Sequence, residues 1–353
     1  MDFVEVLKDK KELIWQEIEN YLQNPLPLKG KLKIPQKYQK EVDYHWQMVV
    51  DYPQRKGKYL RPTFLLLTAE AMGFPEIKAI KTASAMQTSE DWILAHDDFE
   101  DHSLERRGQP TLQCLYGDEL AVNAADALHI IMWKMLRDNE EVLGSQKTFA
   151  IMDEFYQMLS KTTLGQTVEI KWTQENKDNL TDEDCFFIFD GKTVYYSIAG
   201  PMRLGAILAG ATNEQLESIY EFAKPLGYCF QIKDDLLDLT SDFSGLKKQK
   251  GNDIYEGKRT IMLTHLYKTI KGSEKEKFLV IMSKKRAEKT PAEVGWVIKM
   301  MEKHGSLDYG GKLAEKLAVE AKKIFNQKLG FLSKQPAKDQ IISGIDFILQ
   351  RKY

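Results

Sequence analysis

Two acidic segments with identical spacing constrain this chain more than any other feature. Asp97–Asp101, directly after His96, carries four carboxylates in five residues, and Asp234–Asp238 repeats its i, i+1, i+4 pattern. On a helix of about 3.6 residues per turn, positions i and i+4 share a face, so like charges stack there and favour a bound cation. Residues 227–232, before the second segment, are mostly apolar. Either segment alone is typical of a solvated acidic helix face, but two copies on apolar helices predict one shared ligand.

Magnesium is the ligand that carboxylate pairs of this kind favour. Mg²⁺ is a hard cation that binds oxygen, usually through one or two carboxylates, with substrate phosphates completing its octahedron. The sequence therefore predicts a magnesium–phosphate site.

Basic residues near these segments indicate anion binding. Lys58 and Arg61 stand three residues apart at the beginning of a predicted helix, where free amide donors also attract an anion, so they form a diphosphate cradle or an ordinary basic cap. Arg106 and Arg107 precede Gly108 in a predicted turn, and neighbouring side chains in a turn point in different directions. That arrangement suits two separate anions, although exposed surface charge is the alternative.

Composition excludes several classes of protein. The chain has 353 residues, is 43% hydrophobic and 29% charged, and has a net charge of -2, which gives no reason to expect nucleic acid or an anionic membrane as partner. Cys114, Cys185 and Cys229 are far apart, so neither a disulfide framework nor a cysteine zinc site is expected. The longest apolar run, 197–211, contains Arg203 and is too short to span a bilayer.

Helical periodicity dominates the chain, and no strand pattern is evident. Helices are predicted over about 3–22, 37–51, 58–72, 76–102, 117–138 and 146–172, after Thr181 and Thr212, and through the last 90 residues. The expected fold is all-α: one domain, 1–353, of about a dozen helices around a central cavity, with the helix and Pro/Lys loop of 1–35 packing on it. A Gly/Lys loop over 241–252 is expected to close over a phosphate–metal complex.

Taken together, these motifs resemble a known family. The resemblance rests on Gly57–Pro62 (GKYLRP), Asp97–Asp101 (DDFED), Arg106–Pro110 (RRGQP), Gly227–Asp238 (GYCFQIKDDLLD) and Asp253–Thr260 (DIYEGKRT). In this order they are similar to the trans-isoprenyl diphosphate synthases, the farnesyl and geranylgeranyl diphosphate synthase family. The implied fold is isoprenoid synthase-like.

The resemblance implies roles for individual residues. The implied metal ligands are Asp97, Asp98, Asp101, Asp234, Asp235 and Asp238. The implied substrate-binding residues are Lys58, Arg61, Glu90, Arg106, Arg107, Lys192, Gln231, Lys258 and Arg351, and the implied catalytic residues are Lys192, Thr193, Gln231 and Lys258. About three Mg²⁺ ions per active site are expected, and Mn²⁺ can substitute.

Three positions bear on specificity. Glu90 stands where the family usually has His or Gln to help hold isopentenyl diphosphate, and a carboxylate there would repel a diphosphate unless it is protonated or paired with Lys58 or Arg61. Trp92 and Ile93 match positions that form the floor of the chain-elongation pocket, although core packing is an alternative. A bulky floor predicts a short product, farnesyl or geranylgeranyl diphosphate, with geranyl diphosphate also open.

The expected activity is condensation of an allylic diphosphate with isopentenyl diphosphate by a prenyltransferase. Magnesium-assisted ionisation is followed by condensation and elimination. A terpene cyclase, a prenyltransferase with another acceptor, and a non-catalytic subunit of a heteromeric synthase are the alternatives. The resemblance also implies a homodimer, and a cytoplasmic location is expected.

Overall fold

Helices make up most of the computed structural model, which describes residues 2–23, 33–240 and 250–350. The α-helices are α1 (Phe3–Gln23), α2 (Gln39–Gln54), α3 (Leu60–Ala71), α4 (Glu76–Glu100), α5 (Leu112–Tyr116), α6 (Asp118–Asp138), α7 (Glu140–Leu143), α8 (Ser145–Gln174), α9 (Asp182–Phe189), α10 (Gly200–Leu208), α11 (Asn213–Thr240), α12 (Asn252–Glu256), α13 (Ile261–Thr269), α14 (Gly272–Ser283), α15 (Pro291–Lys303), α16 (Ser306–Lys328) and α17 (Ala337–Leu349). A π-helical segment, Asp190–Ala199, joins α9 to α10, and 3₁₀ turns lie at Gln36–Tyr38 and Arg286–Glu288. The prediction of an all-α fold is confirmed.

Local signals account for several helix ends. Thr181 accepts a hydrogen bond from the Asp184 amide at the start of α9, and Thr290 caps α15 in the same way, with Pro291 in the first turn. Thr212 forms the predicted capping box with Gln215. These caps satisfy amides that have no partner within the helix.

Two predicted boundaries were wrong. The second helix continues through Pro53 to Gln54, instead of breaking at Asp51. The third helix begins at Leu60, so Lys58 lies in the preceding loop and does not share a helix face with Arg61. Tyr59 between them has φ 59°, in the left-handed region, which turns the chain before the helix.

The predicted turn at Arg106–Pro110 is a β-hairpin. Strand β1 (Glu105–Arg106) pairs antiparallel with β2 (Gln109–Pro110). Arg107 and Gly108 form the loop with φ values of 55° and 76°, and two positive φ angles are the signature of a two-residue type I′ turn.

The described chain divides into two compact units. The first unit comprises Met1–Asp153, Leu204–Ala211 and Ser333–Ile341, and the second comprises Glu154–Arg203, Thr212–Leu332 and Ile342–Tyr353. The expectation of one domain around a central cavity stays a prediction.

In the first unit, α4 packs against α6, α3 and α1. Helix α3 is buried on most sides, with Leu65, Leu66 and Leu67 all fully inaccessible. Ile14 and Ile18 bury the apolar stripe of α1, as its helical spacing predicts.

In the second unit, α11 packs against α16 and against the π-helical segment. Gly227 permits the latter approach, because a Cβ there would lie 2.8 Å from the Val194 Cα. The segment carries Lys192 and Thr193, and π-helical turns are frequent at functional sites. The helical pattern was predicted, but the π winding was not.

Within the three described ranges, every helix is too short or too polar to cross a membrane.

Replacing Gly227 with Ala should force α11 away from Val194, so we expect the free energy of unfolding to fall by about 1–3 kcal/mol. Gly311→Ala is the control, since nothing lies within 4 Å of a Cβ there, and it should stabilise α16 by up to about 1 kcal/mol. Urea denaturation measures both. Equal effects from the two variants would contradict this account of the helix contact.

Candidate active site

The first acidic patch lies at the C-terminal end of α4, with Asp101 as its C-cap. Asp97 and Asp101 are half-buried, whereas Asp98 is fully buried. The partial negative charge at a helix C-terminus adds to that of the two accessible carboxylates, so this end of α4 attracts cations.

Asp98 accepts hydrogen bonds from two side chains of its own unit. The Tyr52 hydroxyl donates to its Oδ2 at 2.6 Å, and Arg106 Nε donates to the same oxygen at 2.9 Å. Burial alone lowers the pKa of Arg106, but hydrogen bonding and charge from Asp98, with the charge of Asp97, raise it overall. Arg106 Nη2 lies 3.6 Å from Asp97 Oδ2. This geometry favours Asp97 and Asp101 over Asp98 as metal ligands.

The hairpin orients the two arginines in different directions, as predicted. Arg55 donates to the carbonyls of Arg106 at 3.0 Å and Pro110 at 2.8 Å, which fastens both strands to the end of α2. Arg107 Nη1 donates to the Tyr52 carbonyl at 2.9 Å, and its Nη2 lies 2.9 Å from Asp91 Oδ1.

Two of the three predicted acceptor-site cations, Arg61 and Arg107, are paired with carboxylates. Arg61 Nη1 lies 3.0 Å from Glu90 Oε1, so Glu90 is paired with Arg61 and is not an isolated carboxylate. Asp91 is 1% exposed, and burial raises its pKa to about 6 although Arg107 lowers it. Lys58 is exposed in the loop before α3.

The predicted pocket-floor residues lie one turn before the acidic patch on α4. Trp92 is buried and packs on His129 of α6 with ring centroids 4.6 Å apart, and on His96 at 5.6 Å. Ile93 is half-buried. Both the pocket-floor and the core-packing interpretations accommodate this arrangement.

The second acidic patch lies near the C-terminal end of α11 and lines a cavity of about 190 Å³. All seven described site residues predicted in this unit line that cavity: Lys192, Thr193, Gln231, Asp234, Asp235, Asp238 and Lys258. Here too the second aspartate is buried, since Asp235 is 4% exposed, whereas Asp234 is exposed and Asp238 half-buried.

A hydrogen-bond chain crosses one wall of this cavity. Thr193 donates to Gln231 Oε1, and Gln231 Nε2 donates to Asp235 Oδ1 at 2.7 Å. Asp235 Oδ2 is buried and has no hydrogen-bond partner among the described residues. Burial raises the pKa of Asp235 well above its usual range, and the charges of Asp234 and Asp238 raise it further against the Gln231 hydrogen bond.

Asp238 anchors the next helix. Its two carboxylate oxygens accept hydrogen bonds from the Asn252 and Asp253 amides, each at 3.1 Å. These are the first amides of α12, so the acidic patch also fixes the start of the segment that carries Lys258.

The two lysines of the cavity are paired with glutamates. Lys192 donates to Glu169 Oε2, and Lys258 Nζ lies 2.7 Å from Glu256 Oε2. Glu256 is in turn held by Arg286 at 2.9 Å. These ion pairs orient both ammonium groups beside the aspartates.

The donor set fits a divalent cation. Carboxylate oxygens are the ligands that Mg²⁺ prefers. Asp235 Oδ2 is buried beside other carboxylates and has no hydrogen-bond partner in the described part of the chain, so it suits a cation ligand. Among the residues that the structure describes, no group of three or more His, Cys, Asp or Glu side chains is drawn together to hold a metal. One or two carboxylates completed by phosphate do not require such a group.

Sequence reasoning missed several residues of these sites: Tyr52, Asp91, Asp253, Glu256 and Arg286. Asp253 and Glu256 lie inside the quoted DIYEGKRT segment, so their acidic side chains could have been nominated. Arg351 and most of the predicted closing loop, 241–249, lie outside the described residues.

Comparison with known proteins identifies the class. The polyprenyl synthetase family model matches residues 43–301. A geranylgeranyl diphosphate synthase of Methanosarcina mazei is 30% identical over 300 residues, 84% of this chain and 86% of its own length. A short chain isoprenyl diphosphate synthase of Methanothermobacter thermautotrophicus is 27% identical over 84% of this chain and 87% of its own length. The crystal structure of a Pyrococcus horikoshii geranylgeranyl pyrophosphate synthetase superposes with TM-score 0.81 at 26% identity over 99% of both chains.

Fold and matches together define a prenyltransferase. The chain belongs to the polyprenyl synthetase family. The predicted family and enzyme class are thereby confirmed. The prediction of a short-chain trans-isoprenyl diphosphate synthase is confirmed as well. The family uses a divalent metal ion, and its substrates are allylic and isopentenyl diphosphates.

The different environments of Asp97 and Asp98 predict different costs of mutation. Asp98→Ala leaves the buried Arg106 guanidinium without its main counter-charge, so the free energy of unfolding should fall by about 3–5 kcal/mol. Asp97→Ala removes one of several clustered carboxylates and should change it by less than about 0.5 kcal/mol. Chemical denaturation without metal tests this, and similar losses in both variants would refute the distinction.

Proposed function

We propose that this protein condenses an allylic diphosphate with isopentenyl diphosphate to give farnesyl or geranylgeranyl diphosphate. The observation that carries the proposal is the cavity of the second unit, where Asp234, Asp235 and Asp238 line the same walls as Lys192 and Lys258. A cavity lined only by carboxylates would repel a diphosphate. A cavity that bound a diphosphate through lysines alone would not require carboxylates. The combination suits a diphosphate bound together with metal ions.

Lys192 and Lys258 would bind the departing diphosphate. Each is held by a glutamate, so its ammonium group is oriented before substrate arrives. As negative charge develops on the leaving group, fixed cations lower the barrier without reorganising. Arg106, held by Asp98, is assigned to the same charge, as the resemblance implies.

We assign Mg²⁺ to Asp97, Asp101, Asp234, Asp235 and Asp238, with Asp98 holding Arg106 in place. About three ions per site, and Mn²⁺ as a substitute, remain part of the proposal; bound metal would supply Lewis-acid neutralisation of the diphosphate. That the two acidic patches share one diphosphate stays a prediction.

Isopentenyl diphosphate would be bound by Lys58, Arg61 and Arg107 while the double bond of this substrate attacks the allylic cation. The Thr193–Gln231 pair supplies a polar wall near the aspartates. A proton lost to the released diphosphate would complete the step.

Trp92, which packs against His96 and His129, would limit chain growth. We further propose a homodimer in the cytoplasm.

Glu90 keeps a second function open, a prenyltransferase with a different acceptor or a terpene cyclase. Its carboxylate is 3.0 Å from Arg61, one of the cations assigned to the acceptor diphosphate. Hydrocarbon or alcohol products formed from a prenyl diphosphate alone would support the cyclase.

Activity is tested by incubating the protein with geranyl diphosphate, labelled isopentenyl diphosphate and Mg²⁺. We expect label in farnesyl or geranylgeranyl diphosphate, and no product when EDTA removes the metal. Asp97→Asn and Asp234→Asn should each lower kcat by about 10³-fold or more, because each removes a metal-binding charge. Asp308→Asn, at an exposed position of α16, is the control. A folded protein that incorporates no label would contradict the proposal.

Product length should depend on Trp92. Trp92→Ala or Trp92→Leu removes the ring that packs on His129, so longer products should appear in chromatography of the dephosphorylated reaction mixture. Trp296→Ala, a half-buried tryptophan of α15, serves as the control. An unchanged product from a folded, active Trp92 variant would assign this residue to core packing only.

A further inference from the structure

A carboxylate occupies the cationic cluster assigned to the acceptor. Glu90 Oε1 lies 3.0 Å from Arg61 Nη1 and 4.0 Å from Arg107 Nη2. Its side chain is 12% exposed, and its Oε2 is buried with no hydrogen-bond partner among the described residues. Glu90 stands seven residues, nearly two turns, before Asp97 on α4, so both project from one face.

Glu90 is not needed to orient Arg107. That guanidinium is already fixed by Asp91 Oδ1 at 2.9 Å and by the Tyr52 carbonyl at 2.9 Å. Asp91 itself is 1% exposed and receives a hydrogen bond from Gln87 at 3.4 Å. Asp91 is therefore the structural counter-ion of Arg107, whereas Glu90 is an additional negative charge directed at Arg61.

We propose that Glu90 is a specificity-determining residue that competes with the acceptor's diphosphate for Arg61 and Arg107. This inference rests on the proposed function, in which those arginines bind isopentenyl diphosphate. A diphosphate that reaches Arg61 must displace the Glu90 carboxylate or lie beside it. Either event weakens binding, and the partial burial of the site strengthens like-charge repulsion relative to water.

The charge balance of the cluster supports this role. Arg61 and Arg107 contribute two positive charges, and Glu90 and Asp91 offset both. These four side chains therefore present no net positive charge to a multiply charged diphosphate. Loss of the Glu90 charge alone leaves one net positive charge and keeps the Asp91 counter-ion of Arg107.

Glu90→Gln tests the inference, because glutamine keeps the shape of the side chain and removes its charge. We expect the KM for isopentenyl diphosphate to fall by at least about tenfold, with kcat changed by less than about threefold. The KM for the allylic diphosphate should not change. Glu119→Gln, an exposed carboxylate of α6, controls for the loss of one charge and should alter none of these values.

Binding without turnover separates this inference from the proposed function. Calorimetry with isopentenyl diphosphate alone, without allylic substrate or metal, should give a Kd at least about tenfold lower for Glu90→Gln than for the parent protein. Glu90→Ala, which removes the charge by truncation, should shift Kd in the same direction and stands in if the glutamine variant does not fold. An unchanged or higher Kd and KM in folded variants would overturn the inference. A parent protein that forms no condensation product would instead refute the proposed function.

Discussion

The burial of the second aspartate in each acidic patch is the constraint on which both sites depend. Because i and i+4 share a helix face and i+1 does not, Asp98 and Asp235 turn inward when their neighbours face solvent. A buried carboxylate must be paired or hydrogen-bonded. Asp98 accepts hydrogen bonds from an arginine and a tyrosine hydroxyl. Asp235 accepts one from the Gln231 amide, and its other oxygen has no hydrogen-bond partner within residues 2–23, 33–240 and 250–350. The first patch is therefore partly neutralised by its own unit, and the second retains a demand for positive charge.

The cations assigned to diphosphate binding are likewise paired with groups of opposite charge. Arg61 pairs with Glu90, Lys192 with Glu169 and Lys258 with Glu256, so these three assigned diphosphate-binding groups each have a carboxylate partner. Such pairs hold long, flexible side chains in one geometry and so reduce the entropy lost when a diphosphate arrives. They also set a threshold, because a ligand must bind these cations better than their glutamates do.

Much of this architecture could be predicted because its determinants are local. Apolar spacing located the long helices, and Thr181, Thr212 and Thr290 marked helix starts. An Arg-Arg-Gly turn became the type I′ loop that separates Arg106 from Arg107. The family resemblance also nominated seven residues that line one cavity of the second unit. The predictions that failed concern segments whose conformation depends on tertiary contacts. The third helix begins after Tyr59 and so excludes Lys58, and Asp190–Ala199 is π-helical where it packs against α11.

By itself, the sequence determined the helical class, the family and the set of acidic and basic side chains available for diphosphate chemistry, because periodicity and motif spacing act over a few residues. Only the tertiary structure decided which of these side chains are buried, which are paired and which line a cavity. The sites also include Asp91, Tyr52 and Glu256, because each of these side chains contacts a site residue that is distant in the sequence. Burial and pairing depend on packing between distant segments, and that information is not present in the local spacing of residues.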